Sequence, residues 1–234
     1  EKSEQALATD ASPVNLVNVQ LIRSKLLLYS RQPQAAEKLL DAGIEALEIT
    51  AESSNFLHLR VRWLHAESLL QQGRYAQAQA ELMPVAAQFK QLNGEQPSWP
   101  LGESLDSLAR AYMLQGQTDA AGPIFVQALA QIEATAGAQS LAAMRIRAHI
   151  LWLALLDDDD PLALAKLKSL RSELIAVSGR ETTLQVYELD LLIDTLDPAA
   201  TAPDRARAQS AARALQTLSG DAAKPAIRGL TSDS

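Results

Sequence analysis

AESLLQQGRYAQAQAELMPV, residues 66–85, and ARAYMLQGQTDAAGPIFVQA, residues 109–128, are one pattern written twice. Ala66, Leu69, Gly73, Ala78, Leu82 and Val85 fall opposite Ala109, Tyr112, Gly116, Ala121, Phe125 and Ala128, and Gly73 and Gly116 stand 43 residues apart. Each copy reads as a helix closed by a glycine, which adopts the left-handed backbone at little steric cost, followed by a second helix. A two-helix unit recurring at a fixed period marks a helical-repeat array.

Outward from this pair the helical period continues in both directions. Towards the N-terminus, Ser12-Pro13 and Gln32-Pro33 open two helices, each Pro standing where no N–H is needed. The first carries Val14, Val17, Leu21 and Leu28 on one face and Ile22, Leu26 and Tyr29 on another, so it is expected to be packed on two sides. The second carries Ala36, Leu40, Ile44 and Leu47; the third runs to Gly73 with Leu57, Val61 and Leu64 on one face and Leu59, Trp63 and Ala66 on the other. A fourth spans Tyr75 to Asn93, where Pro84 removes a ladder bond and predicts a bend.

Towards the C-terminus, Leu101, Leu105, Leu108 and Tyr112 mark a fifth helix and Thr118 to Ala136 a sixth. Leu141, Met144, Ala148 and Leu151 mark a seventh, and Ala163, Leu167, Leu170 and Leu174 an eighth that stops before Gly179. A ninth carries Val186, Leu189, Ile193 and Leu196, and a tenth runs from Pro203 to about Leu218. Residues 1–12 read as a linker or tail, 13–218 as the repeat domain, and 219–234 as a disordered C-terminal tail.

Composition supports an all-α reading. Hydrophobic residues make up 47% of the 234 residues but aromatics only 4%, so Ala and Leu must fill the interior, as close helix packing requires. The net charge of -7 and pI near 5.0 argue against direct nucleic-acid binding, which depends on basic surface. Absence of cysteine excludes a disulfide framework, a thiolate metal site and a Cys nucleophile. No apolar run approaches the length of a membrane span, and the polar opening residues are not a signal peptide. The chain opens on Glu1 rather than Met, which points to an excised part of a longer protein.

Motifs for chemistry are missing. His58, His65 and His149 form no HExxH and have no second ligand at a recognised spacing, so they read as surface histidines and no metal site is expected. Asp157 to Asp160 lacks the alternating ligands and Gly of an EF-hand loop and reads as a solvated turn and helix start. No phosphate loop, nucleophile elbow or dinucleotide fingerprint occurs, so no catalytic residue and no cofactor are expected.

Ala66, Gly73, Tyr75, Ala78 and Leu82, with Ala109, Gly116, Ala121, Phe125 and Ala128, resemble the tetratricopeptide repeat (TPR) in its longer form of about 42 residues, known from kinesin light chains and common in bacterial signalling proteins. Weaker copies flank the pair: Arg31 stands where Gly is expected, before Ala36 and Leu40, and Asp158 replaces Gly before Ala163 and Leu167. A fifth unit keeps little beyond Ala206. The resemblance implies an α-solenoid, a TPR-like superhelix of about five antiparallel helical hairpins.

It further implies that the first helix of each hairpin lines a concave groove. That places Asn18 and Lys25, then Arg60, Trp63 and Glu67, then Asp106 and Arg110, then Arg145 and Trp152, in a peptide- or protein-binding groove. Arg and Trp suit such anchors, although Trp63 and Trp152 sit in apolar stripes and fit the core equally well. The function expected is a non-catalytic interaction or scaffold module, the sensory or recruiting region of a larger bacterial signalling protein such as a Ser/Thr kinase or a transcription regulator. Self-association as a homodimer and small-ligand sensing are the alternatives. Cytoplasmic and periplasmic placement are left equally open.

Overall fold

The computed structural model describes residues 13–49, 55–156 and 162–179, with a few further positions between 186 and 197. Among the described residues the helices are α1 (Pro13–Tyr29), α2 (Pro33–Ile49), α3 (Asn55–Gln71), α4 (Tyr75–Asn93), α5 (Trp99–Met113), α6 (Thr118–Ala136), α7 (Leu141–Leu156) and α8 (Ala163–Ser178). Consecutive helices pack as hairpins, and the first helices of successive hairpins, α1, α3, α5 and α7, also touch in a row. The result is an all-α solenoid.

Local chemistry sets the boundaries. Pro13 and Pro33 are first residues of their helices, where a missing N–H costs nothing. Ser98 caps α5, its Oγ accepting from Leu101 N at 3.4 Å, while its own N–H donates to Gln131 Oε1 at 2.9 Å and ties the turn to α6. Ser140 Oγ likewise accepts from Ala143 N at 3.2 Å at the start of α7. α4 is one element across Pro84.

One turn closes the first helix of three hairpins. Gly73 and Gly116 have φ of 76° and 74°, and Arg31 occupies the equivalent place at 54°. In each, the next residue donates its N–H five residues back: Gln32 to Leu27, Arg74 to Leu69, Gln117 to Tyr112. This is the Schellman closure, built twice on Gly and once on Arg against the steric preference of a side chain. The weak first copy is therefore a true repeat in backbone geometry.

The interior is continuous from hairpin to hairpin. Ala36, Ala78 and Ala121 begin the second helices and are fully buried, as are Ala66 and Ala109 on the first helices, so backbones approach closely at these points. Between them the gaps are filled by Leu40, Leu82 and Phe125, each at most 1% exposed. Val186, Leu189 and Ile193 are helical and pack with Leu167, Leu170 and Leu174, continuing the array beyond α8. The expected tenth helix, both tails and the Asp157–Asp160 turn lie outside the described residues.

The second face of α1 departs from expectation. Leu16, Val19, Ile22, Leu26 and Tyr29 are each 50–64% exposed. The corresponding positions one repeat on, Val61 and Leu64, are buried against the preceding hairpin. No described element precedes α1, so its matching face is left open.

Candidate interaction face

The polar residues of the first helices converge. On α5, Glu103, Asp106, Ser107 and Arg110 follow the i, i+3, i+4, i+7 spacing and share one face. From α3, Trp63 and Glu67 meet this face; from α7, Arg145 and His149 do. A polar ladder thus crosses three helices, and its rungs join residues 40–44 apart, about one repeat length.

Its bonds are specific. The Trp63 indole N–H donates to Ser107 Oγ at 3.0 Å. Glu67 Oε1 accepts from both the Ser107 hydroxyl and the Arg110 guanidinium. Arg110 Nε stands 3.5 Å from Asp106 Oδ2, an ion-pair approach that forms no hydrogen bond. Arg145 Nη2 lies 2.8 Å from Glu103 Oε1 and 3.6 Å from Asp106 Oδ2. His149 Nδ1 lies 2.8 Å from Asp106 Oδ1, and its ring rests against Phe125 with centroids 5.8 Å apart.

Asp106 is the hub, 1% exposed and faced by three cationic or potentially cationic groups. Burial pushes its carboxyl up, but the charge and hydrogen bond of His149, with Arg110 and Arg145, outweigh burial and hold it well below the ordinary range. Glu103 behaves oppositely. Burial dominates there and raises its carboxyl, with Arg145 only partly compensating.

The structure divides the expected groove residues. Trp63, Glu67, Asp106, Arg110 and Arg145 come together, but Arg110 and Arg145 are engaged by internal acids, so they build the face instead of standing free as anchors. Trp63 packs its ring against the core and donates its N–H to the ladder. Trp152 packs partly buried against the Phe125 cluster. Asn18 donates to Val14 O on its own helix at 3.0 Å, and exposed Lys25 lies 5.9 Å from the Tyr29 ring centre, so both are apart from the ladder. The side chain of half-buried Arg60 makes no hydrogen bond or ion pair among the described residues.

Two corrections concern histidine. His65 and His149 are not plain surface residues: their side chains are 16% and 18% exposed, and both contact carboxylates on other helices. Their partners lie 16–43 residues away, out of reach of any single-helix pattern. Around His65, Glu81 bonds the ring and, with burial opposing, the charges of Glu81, Asp41 and Glu37 raise its titration above the ordinary range. Ligand atoms of Glu37, Asp41 and His65 lie within 4.8 Å of one another, a cluster with none of the sequence spacings that announce a metal site. Glu103, Ser107 and His149 were likewise missed as ladder members; shifting Trp63, Asp106 and Arg145 by one repeat length finds them.

No protein-family model matches the chain, and no curated protein is similar to it in sequence. Solved structures do match. A Podosopora anserina protein described as a kinesin light chain with nearly identical TPR-like repeats is 20% identical, with a TM-score of 0.57 over 95% of this chain and 99% of that one. A variant of it is 21% identical, with the same TM-score of 0.57 over 94% and 97%. BtubC (BKLC) from P. vanneervenii is 14% identical, with a TM-score of 0.63 over 100% and 89%. The likeness is one of fold: the chain is a TPR-like solenoid with repeats like those of kinesin light chains. No helix among the described residues is long and apolar enough to cross a membrane.

Proposed function

We propose that the chain is a non-catalytic protein-interaction module, the recruiting or sensory region of a larger bacterial signalling or regulatory protein, and that the face formed by α3, α5 and α7 receives a peptide or protein segment. The observation that carries this reading is the ladder itself. The first helices of three successive hairpins fix their polar groups to one another, which gives a rigid, preorganised surface with little rotamer freedom left to lose on binding. Beside it stand Trp152, partly exposed, and Arg60, whose guanidinium is uncommitted among the described residues. A reacting centre is not what the ladder resembles, because its carboxylates are neutralised by guanidinium groups.

The test is a displayed peptide library selected on the full chain. Enriched peptides are expected to bind saturably and to lose affinity about tenfold or more on Trp152→Ala or Arg60→Glu. Arg62→Gln is the control, since Arg62 points to Glu48 on α2, 3.9 Å away. Equal binding to all three variants would remove the face from consideration.

A second reading, self-association, is favoured by the open apolar face of α1. If two chains pair through it, light scattering should show the mass rising towards a dimer with concentration, and Ile22→Glu with Leu26→Glu should hold it at the monomer. Constant monomer mass for the unmodified chain would eliminate this reading.

A further inference from the structure

His65 lies two residues from both Trp63 and Glu67, which turns it about 200° around α3, away from the ladder. There it enters the junction of α2, α3 and α4. Its Nδ1 is 2.6 Å from Glu81 Oε2; its Nε2 is 3.2 Å from Asp41 Oδ1 and 3.9 Å from Glu37 Oε1. A neutral imidazole carries one N–H. With carboxylates at both nitrogens, a neutral His65 must turn a lone pair onto an acid oxygen, so the arrangement calls for a cation at one ring nitrogen.

The shorter contact assigns the N–H to Nδ1, donating to Glu81. The Nε2 lone pair then converges with Asp41 and Glu37. In a tetrahedral zinc site with bonds of about 2.0–2.1 Å, ligand atoms stand roughly 3.3 Å apart. The 3.2 Å separation fits that edge, and the 3.9 Å separation requires Glu37 to move in by about 0.6 Å on binding. A carboxylate on the far nitrogen is the outer partner that fixes the tautomer and orientation of a metal-bound histidine. Asp41 is 60% exposed, which leaves a path for ion exchange. Glu37 Oε1 also accepts from Arg74 Nη1 at 2.5 Å, and Oε2 from Gln72 Nε2 at 2.8 Å, so this ligand is held in place from the next hairpin.

The repeat itself shows that packing does not require these charges. One repeat on, Glu37, Asp41, His65 and Glu81 become Gln79, Met83, Leu108 and Ile124. Gln115 Nε2 donates to Gln79 at 2.6 Å as Gln72 does to Glu37, but Leu108 is buried with Ile124 packed against its cluster. The same junction closes there as an apolar contact. Four ionisable groups in the first junction are a departure from the repeat.

We propose that Glu37, Asp41 and His65 bind a divalent transition-metal ion of the zinc type between the first and second hairpins, with Glu81 positioning the imidazole. The inference is independent of the interaction face. To test it, the chelator-stripped full chain is titrated with zinc chloride by calorimetry and with Co²⁺ by visible absorption, at mildly alkaline pH so that protons compete weakly. One ion per chain is expected. Binding should vanish in His65→Gln and Asp41→Asn, weaken about 10–100-fold in Glu81→Gln, and be unchanged in His58→Gln. Since Asp41 is largely exposed, Asp41→Asn should keep the wild-type circular dichroism and so separate ligation from folding. Absence of saturable Zn²⁺ and Co²⁺ binding, or binding that persists in both His65→Gln and Asp41→Asn, would overturn the proposal. The first result would leave a proton as the only cation the cluster takes.

Discussion

Asp106→Asn is expected to lower the unfolding free energy at neutral pH by about 3–5 kcal/mol, the usual cost of removing one partner from a buried ionic network. The substitution preserves shape while removing the negative charge on which Arg110, Arg145 and His149 converge. Glu67 and Glu103 still hold the two guanidiniums, which puts the effect nearer the lower end. Urea unfolding followed by circular dichroism measures it, and a loss below about 1 kcal/mol would place Asp106 among weakly coupled surface charges.

Acid sharpens the test. A carboxyl held below its unfolded value binds its proton later in the folded state, so its stabilisation is present above the unfolded pKa of about 4 and is lost as pH falls through the folded one. The native chain should therefore lose stability below about pH 4 more steeply than Asp106→Asn does. Glu103 has the opposite sign. Its raised carboxyl contributes stability that is present below the unfolded pKa and lost as pH rises through the folded value, so Glu103→Gln should cost much less at neutral pH than Asp106→Asn.

These opposite roles were not visible in the sequence, and the reason is general to repeats. Periodicity within one helix located all eight described helices, because burial of Leu, Ala and Val repeats every three or four residues. It also separated Ala109 and Ala121, the close-approach points, from the large residues around them. Side-chain partners across helices follow the repeat length instead. Arg110 and Arg145 were legible as face residues, but not that Glu67 and Glu103 already bind them one repeat away. His65 was harder still: its partners come from two other helices, and its repeat equivalent, Leu108, gives no polar signal. The second face of α1 reads in the sequence as packed, but it is exposed, and the element that would cover it has no counterpart among the described helices.

Gly102 carries the second large prediction, and nothing in the periodicity singled it out. A Cβ at this position would stand 2.8 Å from Ile132 Cδ1, 2.9 Å from Ile132 Cγ1 and 3.0 Å from Gln131 Cβ. Here α5 and α6 are as close as a glycine allows. Ile132 is fully buried, so Gly102→Ala should cost about 1–3 kcal/mol by overpacking. Ile132→Ala should cost about 2–5 kcal/mol through the cavity it leaves. Together the two should cost less than their sum, by about 0.5–3 kcal/mol, because the new methyl enters the space Ile132 vacates. Full rescue is not expected, since Gln131 Cβ is fixed to the backbone of α6. Strict additivity in urea unfolding would show that Gln131, not Ile132, is the obstacle. The consequence reaches the ladder: Glu103 adjoins Gly102 and meets Arg145 at 2.8 Å, so a displaced α5 in Gly102→Ala should also weaken the proposed peptide binding even though no residue of the proposed face has changed.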